Sequence, residues 1–134
     1  VSYEEEPTLS PPTNLRVPNN FPGDFKWNEG GGGTCTDVKF TWADAMPPRG
    51  NWPGLPDYYT VTVIVDSDSG TSSSTYQATS TQWTNGASVG IGYNISFGVE
   101  GVFLSPSNTT MYAEVTYKCL YQSLVYQGYL TRGQ

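Results

Sequence analysis

The chain has 134 residues, a formal net charge of −6, only 13% charged residues and no histidine. An acidic chain without clustered Lys and Arg is not built for nucleic acid or for an anionic membrane, and no apolar run approaches the roughly 18 residues that would span a bilayer. The absence of histidine excludes Ser-His and Cys-His nucleophile pairs, and with only two cysteines a usual structural zinc site is excluded too.

Residues 1–10 (VSYEEEPTLS) join three consecutive Glu to a Pro and read as an acidic linker. A β-sandwich domain is expected over 11–134, with 119–134 as an extra strand or a tail. Leu15-Arg16-Val17 is predicted as a short first strand, ended by Pro18. Asn19 to Thr34 is rich in Pro, Asn and Gly and carries Phe21, Phe25 and Trp27. From Thr36 to Trp42 the chain alternates, with Val38, Phe40 and Trp42 on one side and Asp37, Lys39 and Thr41 on the other. Ala43 to Pro56 holds four prolines and two glycines, which predicts a long loop without a ladder.

Asp57 to Asp66 is the longest β-branched and aromatic run, and its period of two puts Tyr59, Val61, Val63 and Val65 on one face. Ser67 to Ser74 reads as a Gly/Ser turn, Thr75–Ser80 and Thr81–Thr84 as short strands, and Asn85 with Gly86 as a turn signal. Ile91 to Val99 alternates with Tyr93, Ile95, Phe97 and Val99 on one face. Glu100 to Thr110 reads as a loop. Met111 to Lys118 alternates with Met111, Ala113, Val115 and Tyr117 inward. No segment holds a 3.6-residue period. The expected fold class is therefore all-β, a two-sheet antiparallel β-sandwich.

The order of these pieces resembles a fibronectin type III module from about Pro11 to Lys118. The residues carrying the resemblance are Pro11-Pro-Thr-Asn-Leu-Arg-Val17, Val38-Lys-Phe-Thr-Trp42, Tyr59-Thr-Val-Thr-Val63, Tyr93-Asn-Ile-Ser-Phe-Gly-Val99, and Gly101 with Ser105-Pro106-Ser107 before the last strand. The resemblance puts Tyr93 where that family has its corner tyrosine. An immunoglobulin-like domain is the competing resemblance: Tyr117-Lys-Cys119 looks like its sixth strand, with Cys35 as the second-strand partner and the tail as a seventh strand. In the fibronectin-like order the second strand starts, and the last ends, at one pole. That arrangement implies a Cys35–Cys119 disulfide and an oxidising compartment. The alternative is two free thiols.

The same resemblance puts the loops 43–56 and 100–110 at one pole. Met46, Arg49, Trp52, Leu55 and Phe103 are the candidate binding residues there, because Met, Arg and aromatic side chains are enriched at interface centres. The competing reading has Trp52 and Phe103 fold back and cap the open end of the sandwich. Phe21, Phe25 and Trp27 either form a platform for sugar stacking or cover a sheet edge. Asn94-Ile-Ser96 and Asn108-Thr-Thr110 are glycosylation sequons, a motif short enough to arise by chance. Asp66-Ser-Asp68-Ser-Gly70 has the opening of a calcium loop without its later ligands and reads as a solvated turn. No catalytic residue, metal or cofactor is expected. The expected role is a non-catalytic extracellular recognition or adhesion module, secreted or on a cell surface. Its partner would be a protein or another copy of itself. A carbohydrate-binding or spacer module of a secreted polysaccharide-degrading enzyme is the alternative.

Overall fold

The computed structural model describes residues 9–44, 54–105 and 107–133. Twelve strands run in chain order through them: β1 (Thr13–Arg16), β2 (Lys26–Asn28), β3 (Thr34–Thr36), β4 (Val38–Ala43), β5 (Tyr58–Ser67), β6 (Gly70–Ala78), β7 (Gln82–Asn85), β8 (Val89–Gly90), β9 (Asn94–Leu104), β10 (Ser107–Thr109), β11 (Tyr112–Leu120) and β12 (Ser123–Arg132). The larger layer has the order β12-β11-β9-β5-β6, with β10 folded back on β9. The smaller layer is β1-β4-β7, prolonged by β2-β3-β8. All of these strand pairings are antiparallel. The fold is an all-β sandwich.

Alternation in the sequence decides which faces meet. Val38, Phe40 and Trp42 point inward from β4, Tyr59, Val61 and Val63 from β5, Ile95, Phe97 and Val99 from β9, and Ala113, Val115 and Tyr117 from β11; all are buried. Phe40 stacks on Phe97 across the layers, with centroids 4.9 Å apart, and Trp42 meets Tyr59 edge-on at 5.4 Å. Cys35 on β3 and Cys119 on β11 are joined by a disulfide at one pole, their Cα atoms 6.1 Å apart. Closing a loop with 84 residues of sequence separation stabilises by about 4.5 kcal/mol through the entropy of the unfolded chain.

Several expectations need correction. The break at Asp37, whose φ is 51°, splits the predicted second strand into β3 and β4. Ser72 to Ser74 are strand and not turn: the β5–β6 reversal is confined to Asp68 and Ser69, because Ser67 already pairs with Gly70. β9 does not end at Val99 but runs on to Leu104. Tyr93 is not the tie between layers. Its hydroxyl donates to Asp68 Oδ2 at 2.7 Å, within the larger layer's own turn. Tyr117 makes the cross-layer tie instead, its hydroxyl oxygen accepting from the Val17 N–H at 3.2 Å in a buried setting. The tail forms β12, a full partner of β11 from Leu120 to Tyr112.

Phe25 is buried, and Trp27 on β2 packs edge-on against Tyr121 at 5.3 Å. These aromatics cover an edge of the smaller layer, since β2 pairs with β3 alone.

Candidate functional site

The pole opposite the disulfide is where the predicted binding residues belong. Met46, Arg49 and Trp52 lie outside the described residues. Leu55 is described and is 53% exposed. Phe103 is 1% exposed, so it lies inside and is not a surface contact. The alternation of β9 explains this. With Val99 and Phe103 inward, the next position faces out, and Leu104 is 62% exposed.

The segment carrying Leu55 is clamped to β9. The Asp57 N–H donates to Val102 O at 2.9 Å, and Asp57 Oδ2 accepts from the Leu104 N–H at 2.8 Å. Gly101 makes the approach possible, because a Cβ there would lie 2.6 Å from Pro56 Cγ. Beneath, the buried Thr110 hydroxyl oxygen accepts from the Gly101 N–H at 2.8 Å, and its hydroxyl donates to Met111 O at 2.9 Å. The two exposed leucines therefore stand on adjoining, hydrogen-bonded segments.

A polar cluster occupies the outer face of the larger layer. The phenol end of Tyr112 lies against Gly98, where a Cβ would collide with its oxygen. Its hydroxyl donates to Glu114 Oε1 at 2.6 Å, and the Arg132 guanidinium sits 4.3 Å above its ring. Burial and the Glu114 carboxylate push the Tyr112 hydroxyl well above the ordinary tyrosine range. Burial also raises the Glu100 carboxyl, against the pull of the Arg132 charge. With Thr62 these groups line a hollow of about 380 Å³. Gly98 of β9 and Arg132 of β12 both lie against Tyr112, so the cluster braces β12 to β11 and β9.

A second hollow, of about 790 Å³, opens beside β1 and β4 and is lined by Asn14, Arg16, Thr41, Trp42 and Gln82 among others. Trp42 is buried and its indole N–H has no hydrogen-bond partner.

The sequons take different places. Asn94 starts β9 between Asp66 and Lys118, half-buried, with its Oδ1 enclosed and unpartnered. Asn108 lies in β10, half-buried, and its Oδ1 accepts from the Thr109 N–H at 2.8 Å. Asp66 and Asp68 are occupied by Thr71 and Tyr93. Among the described residues no group of three or more His, Cys, Asp or Glu converges to hold a metal, and no helix is long and apolar enough to cross a membrane.

The extra strand expected within 119–134 is present as β12, but the exposed apolar residues of this last hairpin are not among the candidate binding residues that sequence reasoning picked. Leu120, Tyr121, Val125, Tyr126, Tyr129 and Leu130 are all exposed. The signal was present: Val125 stands next to Tyr126 and Tyr129 next to Leu130, so the strand is apolar on both faces. A strand with one wet face alternates instead. Comparison with protein families, with curated proteins and with solved structures finds no match.

Proposed function

We propose that this protein is a non-catalytic recognition module of fibronectin type III-like topology, working in an oxidising compartment outside the cytoplasm and binding a protein partner through the pole of Leu55 and Leu104. The strand order supports the fibronectin-like reading over the immunoglobulin-like one. β6 pairs with β5 along its whole length, and β11 lies between β9 and β12. In the immunoglobulin-like reading β11 would be the sixth strand and would pair with the third, but here its neighbour is the strand that directly precedes the β10 hairpin. The Cys35–Cys119 bridge supports the compartment.

The observation that carries the binding reading is the exposure of Leu55 and Leu104 on segments fixed by Asp57. Apolar side chains on a rigid base lose little freedom when covered, which favours association. The test presents the chain and its L104D variant to an array of extracellular proteins. Binding that L104D abolishes, with an unchanged melting temperature, supports the pole. Equal binding by both removes it.

The carbohydrate reading has one observation in its favour, the hollow lined by the polar side chains of Asn14, Arg16, Thr41 and Gln82 beside Trp42. Its test is a glycan array with Q82A and R16A. Sugar binding that either variant abolishes would put recognition in that hollow.

A further inference from the structure

We propose that β12 is a self-association edge, along which two copies of this chain pair antiparallel about a two-fold axis and join their larger layers into one continuous sheet. This surface is separate from the Leu55–Leu104 pole, and its test does not depend on that reading.

Three observations carry it. First, β12 is the outermost strand of its layer, ten residues long, with β11 on one side and no strand on the other among the described residues. It holds neither Pro nor Lys, two of the usual protections of an edge. Second, the strand is nearly free of charge in a chain of net charge −6. From Ser123 to Arg132 there is no acid, and Arg132 is the sole charged residue. In the two-fold pairing Arg132 falls opposite Ser123 of the second copy, so no like charges meet, and the acidic remainder of each chain is carried away from the seam.

Third, the strand complements itself in one register. Pairing with β11 fixes the side each residue faces. Tyr126 opposite Tyr117 and Tyr129 opposite Val115 face inward, while Val125 opposite Lys118 and Leu130 opposite Glu114 face outward. A two-fold axis normal to a sheet pairs residues that face the same side, and on a regular strand such residues are an even number apart. The bulge that leaves Gln127 without a partner changes the parity. It lets the axis pass between Gln127 and Gly128. Tyr126 then meets Tyr129 of the second copy, and Val125 meets Leu130 of the second copy. These are aromatic–aromatic and aliphatic–aliphatic cross-strand pairs, each formed twice.

The experiment is sedimentation velocity on the full chain over a concentration series, with V125E, L130K and V125E/L130K. On the monomer these substitutions are placed to be tolerated, since V125E adds an acid beside Lys118 and L130K a base beside Glu114. Each single variant puts a charge against an aliphatic side chain at both symmetric sites and raises the dimer dissociation constant by about tenfold. The double variant sets opposite charges against each other at both sites and recovers the dimer. S73E, on the far edge of the same layer, leaves the dimer unchanged. Melting temperatures establish that each variant is folded. A wild-type chain that stays monomeric at every concentration overturns the proposal. So does a folded double variant as monomeric as the singles, because the register would then be wrong.

Discussion

The larger layer has two edges, and they are treated in opposite ways. At one edge β6 is a run of Gly, Ser and Thr, exposed along most of its length. Its one aromatic that turns inward, Tyr76, stacks on Trp83 of the smaller layer with centroids 4.8 Å apart. At the other edge β12 carries Tyr126 and Tyr129 on its inward side, and they stay 57% and 48% exposed. Tyr126 touches Tyr117 of its own layer, edge-on at 5.8 Å. The residue type is the same at both edges, and what differs is the layer opposite. Trp83 on β7 reaches β6, Phe40 on β4 reaches β9, and Val17, just after β1, reaches Tyr117 on β11. A smaller layer facing a wider one leaves an overhang, and the overhang falls on β12 at Tyr126 and Tyr129, whereas Leu124, near the disulfide, is buried. A side chain's burial in a sandwich is thus set by the strand count of the layer it faces as much as by its own hydrophobicity.

Four measurements test this contrast between covered and overhanging strands. Replacing both cysteines by Ala has the largest expected effect, a loss of about 4.5 kcal/mol from the unfolded-state entropy, read as a shift of the urea midpoint. An unchanged midpoint would mean that packing alone holds the pole. Trp42→Ala, in the covered centre, is expected to cost about 3–5 kcal/mol; the orphan indole N–H, lost with the ring, favours the lower end. A near-neutral result would put Trp42 outside the core. Tyr76→Ala is expected to cost about 2 kcal/mol, and Tyr129→Ala under about 0.5 kcal/mol at a dilution where chains are single. Equal losses at the two tyrosines would erase the distinction between the edges.

The smallest effect concerns Glu100. Its carboxyl titrates above the ordinary value of 4.5 in the folded chain. The folded state therefore favours the protonated form, and its penalty appears as pH rises through 4.5 toward the raised value. E100Q is expected to be slightly more stable than the wild type at pH 7, with the gain vanishing below about pH 4 in thermal melts. A loss of stability in E100Q at pH 7 that disappeared in acid would reverse the sign and make Arg132, not burial, the dominant influence.

The covered strands were legible in the sequence because one wet face and one dry face write a period of two. Val38, Phe40 and Trp42, or Ile95, Phe97 and Val99, give the inward face directly. The edges were not legible in that way. Ser72 to Ser74 are wet on both sides and look like a turn, while β12 is apolar on both sides and shows no phase. Phe103 was misplaced for a different reason. The alternation of Ile95 to Val99, carried four residues further, points Phe103 in and Leu104 out, but Gly101 and Ser105-Pro106-Ser107 read as the punctuation of a loop over Glu100 to Thr110. The Tyr117 tie needed the layers in hand, since it links residues 100 apart in sequence.

The Cys35–Cys119 bridge has a mechanical consequence. Tension drawn between Leu9 and Arg132 runs along β1, β2 and β3 to the sulfurs, crosses, and leaves through the last turn and β12. Everything between the cysteines, a span of 84 in sequence, is shunted out of the path. Stretching can strip the flanking strands, yet β4 through β9 cannot be paid out until the sulfurs part, so the bridge sets the maximum length to which the oxidised chain extends.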